Sequence, residues 1–258
     1  MTVAMQKTDS TSLTQLITKG RESDEQRIAR FGWSPFVQCI WCGDTGIDPE
    51  FGTECHCVVG VAKNQQRIRR EQWPTLVPKR FVDYTLTEHP NKRLAADVGA
   101  WLDSNPIRTG ENLVIQGATG RGKTGAAIGA LRELHFQGAL VRYWSLPDLM
   151  DQLRAEEFGR GDTESAKSRP TMAWLTNCAC LLLDDMGTER PTKYVEDRLY
   201  TLFDGRYVDK RPTVITTNYS KDKLREYWGE RITSRIEESV RYVGAPGLDL
   251  RKTRSKIS

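Results

Sequence analysis

The chain has 258 residues, of which 38% are hydrophobic and 28% charged. That is enough apolar material for a real core, and it argues against disorder along the whole length. No apolar run approaches the ~18–20 residues that cross a bilayer, and the opening MTVAMQKTDSTSLTQ has no apolar h-region, so neither a membrane-spanning nor an exported protein is expected. The net charge of +4 is uneven. Residues 61–80 hold Lys63, Arg67, Arg69, Arg70, Lys79 and Arg80 against Glu71, and the tail carries Arg251, Lys252, Arg254 and Lys256. Such clusters suit either a solvated face or contact with phosphates.

The first thirty residues are polar, with a loose helix possible between Ser12 and Ile28. A cysteine-rich stretch follows, broken by Gly43, Gly46, Pro49 and Gly52. A basic helix is predicted over 61–73, ended by Pro74 and Pro78, which puts a domain boundary near 74–80. The expected division is a small segment 1–75 and a larger domain 76–258. In the latter, Leu94, Val98, Trp101 and Leu102 share one helical face. Strands are predicted at 112–116, 140–144, 178–183, 214–217 and 240–243. Helices are predicted at 124–136, after Ser145 as cap, at 191–208, and as two short pieces at 220–227 and 229–238. Strands alternating with helices of this length imply an α/β fold with a parallel sheet covered on both faces.

Gly117-Ala118-Thr119-Gly120-Arg121-Gly122-Lys123-Thr124 fits G-x-x-x-x-G-K-[ST] at every fixed position, between a predicted strand and a predicted helix. Glycines let consecutive backbone N–H groups turn inward at phosphate oxygens, and the helix adds its positive N-terminus. Lys123 is expected to reach the β- and γ-phosphates of ATP, and the Thr124 hydroxyl to bind Mg²⁺. The next buried strand ends in Asp184-Asp185. Asp184 is the expected Mg²⁺ partner, and Asp185 is the expected general base that polarises the attacking water. One strand later Asn218 ends another apolar run and is the candidate for touching the γ-phosphate and the water.

Taken in order, GATGRGKT, CLLLDDMG, TVITTN, GERITSRI and GLDLR resemble the AAA+ ATPases of the DnaC/DnaI helicase-loader and IstB group over roughly residues 80–255. The resemblance implies that Arg235, the second arginine of GER-x3-R, acts as an arginine finger on a neighbouring subunit's nucleotide. It implies that Arg251 touches the bound nucleotide as a sensor. An arginine supplied in trans is worth ~10³–10⁵ in rate. Many AAA+ proteins have Asp-Glu where this chain has Asp184-Asp185, a departure that the group itself shares. The resemblance further implies a cytoplasmic protein of a bacterial or phage-infected cell. There it assembles with ATP, binds single-stranded DNA and escorts a ring-shaped, hexameric replicative helicase. The alternative within the same group is a transposition helper that binds duplex DNA. A small-molecule P-loop kinase fits Asn218 and Arg235 less well, and a binding module with a degenerate ATPase would show nucleotide binding without turnover.

Six cysteines are present. Cys178 and Cys180 lie in an apolar run and read as small buried residues. Cys39, Cys42, Cys55 and Cys57 form CxxC-x12-CxC, a spacing that suits a closed tetrahedral Zn²⁺ site. Clustered thiols in a reducing compartment favour metal over disulfides. His56 lies between the last two and can replace one of them. In the resemblance, a cysteine-rich segment ahead of the ATPase domain looks like the helicase-loader branch, where it docks on the helicase.

Overall fold

The structure is a computed structural model that describes residues 45–47, 52–53, 55, 58–158, 171–188, 190–247 and 249–250. The chain divides into two units, residues 1–68 and 69–258. Within the first, the Cys55 N–H donates to Gly46 O at 3.0 Å, and the Lys63 ammonium donates to Thr45 O.

In chain order the elements are α1 (Val58–Leu76), a 3₁₀ turn (Lys79–Phe81), α2 (Lys92–Asp103), α3 (Pro106–Thr109), β1 (Asn112–Gln116) and α4 (Lys123–Phe136). They continue as β2 (Val141–Ser145), α5 (Leu146–Phe158), α6 (Thr171–Asn177), β3 (Cys180–Asp184), α7 (Lys193–Val208), β4 (Thr213–Thr217), α8 (Lys221–Glu237) and β5 (Val240–Gly244). Among the described residues no helix is long and apolar enough to cross a membrane.

The five strands are all parallel and lie in the order β2-β3-β4-β1-β5. The inner strands β3 and β4 are buried at every position, as a parallel sheet sandwiched by helices requires. Alternate side chains divide between two cores. Leu113, Ile115, Cys180, Leu182 and Val214 pack with α2 and α4 on one face. Val114, Leu181, Leu183 and Ile215 pack with α5, α6, α7 and α8 on the other. Leu94, Val98 and Trp101 are the buried stripe of α2, and Asn91 caps that helix by accepting from the Leu94 N–H at 3.1 Å. Cys178 and Cys180 are buried, and burial pushes both thiols up, Cys180 to about 12.

Two local readings change. Helix α1 does not stop before Pro74 but runs to Leu76. The proline falls in the last turn, where it forfeits one bond, while the buried Trp73 before it donates its indole N–H to Val82 O at 2.7 Å. The two short helices expected after β4 are both present within α8 and meet at Gly229, whose φ of 76° is outside the helical region. The four-residue α3 and seven-residue α6 carry too little periodic pattern to be seen in advance. In addition, Arg206 of α7 is buried and acts as a cross-tie. Its guanidinium donates to Leu175 O at 2.6 Å, Cys178 O at 3.0 Å, Pro212 O at 2.6 Å and Thr213 Oγ1 at 2.9 Å. A buried charge is tolerable only with such partners.

Candidate nucleotide-binding site

The site lies at the C-terminal edge of the sheet, where the loops after β1, β3 and β4 converge. Gly117–Thr124 turns between β1 and α4. Gly120 and Gly122 take φ of 81° and 85°, a region open to glycine at little cost. A Cβ at Gly120 would collide with the Asp249 carboxylate, and one at Gly122 would sit 2.9 Å from the His89 ring.

Lys123 is buried. Its ammonium donates to Gly117 O at 2.8 Å, Ala118 O at 3.0 Å and Asn218 Oδ1 at 2.8 Å. Asn218, just past β4, is thereby tied to the phosphate loop. These three oxygens are neutral, and a phosphate oxygen is a stronger partner than any of them.

Asp184 ends β3 with 4% of its surface exposed. Its Oδ1 accepts from Thr124 Oγ1 at 3.0 Å and Thr216 Oγ1 at 2.5 Å, and its Oδ2 from Tyr143 OH at 3.3 Å. Burial pushes this carboxyl above the ordinary carboxylate range, and the neighbouring Asp185 adds to the shift, while the three hydroxyls oppose it. The same burial and the same carboxylates push the Tyr143 phenol up. Asp185 is exposed and adopts φ of 56°. Its N–H donates to Thr216 Oγ1 at 2.9 Å, so one hydroxyl orients both acids.

These groups border a cavity of about 640 Å³ lined by Thr119 through Gly125, Asp185 and Asn218. Its other wall is Arg80, Phe81, Tyr84 and Pro90, with Leu250 at the rim. Sequence reasoning missed that wall. Its signal is the pair Gly125 and Gly129, poor helix formers one turn apart in α4. Their missing Cβ atoms would meet the Tyr84 ring at 2.5 Å and Leu86 at 3.0 Å.

The other sequence candidates lie elsewhere. Arg235 of α8 is not part of this cavity. Its Nε donates to Asp204 Oδ1 of α7 at 2.7 Å, and its guanidinium lies 5.1 Å from the Tyr207 ring centre. A smaller cavity there, about 340 Å³, includes Asn112 and Thr213. Those residues begin β1 and β4, so Arg235 sits towards the opposite end of the sheet. Arg251, Cys39, Cys42, Cys57 and His56 lie outside the described residues, and Cys55 is buried. Among the described residues no three His, Cys, Asp or Glu gather as a metal site.

A parallel sheet in this order, with a phosphate loop after its first strand, an acid pair after the third and a polar residue after the fourth, defines an AAA+ nucleotide-binding domain. The family described as IstB-like ATP binding protein matches residues 63–236, and the chain belongs to it. It is 26% identical over 125 residues to the replicative helicase loader DnaC of Escherichia coli strain K12, covering 48% of this chain and 49% of that protein. It is 25% identical over 157 residues to a putative ATP-binding protein in an insertion sequence of Mycobacterium tuberculosis, covering 59% of this chain and 57% of that protein. The chain thus spans about half the length of the curated relatives it matches. The crystal structure of a DnaC helicase loader superposes with a TM-score of 0.56 at 25% identity, over 66% of this chain and 100% of that one. The resemblance to the DnaC/IstB group therefore holds in both sequence and fold.

Proposed function

We propose that this chain is an ATPase that loads a replicative helicase onto single-stranded DNA and hydrolyses ATP between assembled subunits. The observation that carries the nucleotide reading is the meeting of Thr124, Asp184, Asp185 and Asn218 around Lys123, drawn from three separate loops.

The residues present fit Mg·ATP. Thr124 Oγ1 and Asp184 Oδ1 are already neighbours at 3.0 Å, a hydroxyl–carboxylate pair suited to a hard cation. Thr124 and Asp184 would hold Mg²⁺, whose role is to neutralise charge on the transferring phosphoryl group. Lys123 and the loop N–H groups of residues 117–124 would bind the phosphates. The wall of Phe81 and Tyr84 offers an aromatic surface to the base. Asp185, exposed at its turn, would take the proton of the attacking water at its carboxylate, with Asn218 orienting that water. Arg235 would complete the site of an adjoining subunit, and Arg251 would contact nucleotide in its own. The distance of Arg235 from its own cavity supports a role in trans.

The loader reading draws support from the DnaC relatives and from the cysteine-rich segment. We assign residues 1–75 to partner docking and 76–258 to the ATPase. Cys39, Cys42, Cys55 and Cys57 are proposed to hold one Zn²⁺, and metal analysis of the purified chain checks this. The insertion-sequence relative supports the second reading, a transposition helper on duplex DNA. Fluorescence anisotropy with labelled single-strand and duplex oligonucleotides, with and without ATP, separates the two. A loader prefers single strand in an ATP-dependent way, and its log affinity falls with log salt at about 0.7 per phosphate contact. Equal or tighter duplex binding favours the transposition helper, and no DNA binding at low salt defeats both.

A further inference from the structure

Two carbonyls of the phosphate loop are held by donors from outside Gly117–Thr124. His89 is buried, and its Nε2 lies 3.0 Å from Gly122 O. The Leu250 N–H donates to Gly120 O at 2.8 Å. The two straps are joined, because Asn91 Nδ2 donates to Pro246 O at 2.7 Å.

A carbonyl oxygen only accepts, so the bond to Gly122 O requires a proton on His89 Nε2. Nδ1 is then the acceptor in a neutral ring, and the Asn91 N–H donates to it at 3.1 Å. The opposite tautomer would turn Nδ1–H to the Asn91 carbonyl, also 3.1 Å away, and leave two acceptors facing each other at Gly122. The edge of the ring packs on Tyr84, with centroids 5.6 Å apart, and Tyr84 in turn covers Gly125.

The consequence follows from peptide geometry. In a planar trans peptide the C=O and N–H point in opposite directions. A donor holding Gly122 O therefore aims the Lys123 N–H away from His89, and a donor holding Gly120 O does the same for the Arg121 N–H. Gly122 O also accepts the Ala126 N–H at 3.0 Å, the first helical bond of α4, so His89 is a second donor on that carbonyl. Gly120 O is held by Leu250 in a loop whose positive-φ glycines restrain it little.

We propose that His89 is a positioning residue for nucleotide binding: its Nε2–H, added to the Ala126 N–H on the same carbonyl, fixes the Gly122–Lys123 peptide so that the loop N–H groups face the phosphates. This rests on the nucleotide reading of the site and adds to it a residue outside every phosphate-loop motif. Leu250 is the second, backbone-only half of the same brace.

The test is isothermal titration of the full chain with Mg·ADP. His89→Phe keeps an aromatic ring on Tyr84 but cannot donate, and should weaken Mg·ADP about tenfold, the size of one well-made hydrogen bond. His89→Gln, which carries a side-chain N–H donor, should recover most of the affinity. A general packing role would not produce that rescue. Unchanged affinity in His89→Phe, or His89→Gln as weak as His89→Phe, overturns the proposal. Should His89→Phe fail to fold, ¹⁵N-imidazole spectra of the wild-type chain decide. An Nε2–H tautomer with a slowly exchanging proton supports the brace, and an Nδ1–H tautomer overturns it. A wild-type chain that binds no Mg·ADP defeats the nucleotide reading instead, and the tautomer still reports on the contact.

Discussion

Lys123 and Arg235 are both cations on helices that follow sheet strands, yet their surroundings are opposite in kind. Lys123 is buried and held by two backbone carbonyls and the Asn218 amide oxygen. Arg235 is half-buried and joined to the Asp204 carboxylate, with Tyr200 and Tyr207 beside its guanidinium. The three oxygens named for Lys123 are neutral and orient it, whereas the carboxylate on Arg235 offsets much of its charge. Under the proposed function, the first arrangement serves phosphate binding. If Arg235 acts in trans as proposed, it must leave, or share, Asp204 before it can meet a phosphate. On the same reading, one end of the sheet binds nucleotide and the other meets a neighbouring subunit.

Mutation of the two cations should therefore fail in different ways. Arg235→Ala is expected to retain Mg·ATP affinity within a factor of about two while turnover falls on the order of 10³-fold. Mixing it with Lys123→Ala protein should restore part of the activity, because one interface then pairs an intact phosphate loop with an intact arginine. Steady-state phosphate release on the mixed chains reads this, and full activity in Arg235→Ala alone would refute the contrast. Lys123→Ala should instead lose binding by about 100-fold, since charge-assisted bonds to phosphate are worth roughly 1.5–3 kcal/mol each. Titration calorimetry with Mg·ATP measures it.

The smallest expected effect sharpens the comparison from the acid side. Burial holds the Asp184 carboxyl above its ordinary range in the folded chain, so the native state binds a proton that the unfolded state releases. Stability attributable to this group is present below the unfolded value near 3.8 and is lost as pH rises through the higher folded value. Asp184→Asn should accordingly raise the thermal midpoint of the nucleotide-free chain at pH 7, by a few degrees, while Mg²⁺-dependent nucleotide binding disappears. The gain should shrink as pH falls into the carboxylate range. A lower midpoint at pH 7 would show that the three hydroxyl bonds outweigh the burial cost.

The phosphate loop, the acid pair and Asn218 were legible in the sequence because each is a short local string at the end of an apolar strand. Their convergence follows once the strands are parallel and neighbouring, since all the loops after such strands open on one edge. The helical stripe of Leu94, Val98 and Trp101 was legible for the same reason, as a period that requires nothing beyond its own segment. The two short helices at 220–227 and 229–238 were legible too, and they meet at Gly229, a residue that leaves helical φ at little cost. Pro74 misled, since its effect depends on whether it falls in a helix interior or in the last turn.

What the sequence by itself determined is therefore the alternating α/β order, the residue types at the phosphate loop and acid strand, and membership in a family read from those strings. Only the tertiary structure decided which distant groups meet. Thr216 bridges Asp184 and Asp185 across two adjacent strands. Arg206 reaches the carbonyls of α6 and of the loops before β3 and β4. Arg235 finds Asp204, and His89 finds Gly122 from 33 residues away. A short motif carries its chemistry in spacing along the chain. A hydrogen bond between remote residues has no such spacing, and comes into being only when strand order and helix packing bring its donor and acceptor within about 3 Å.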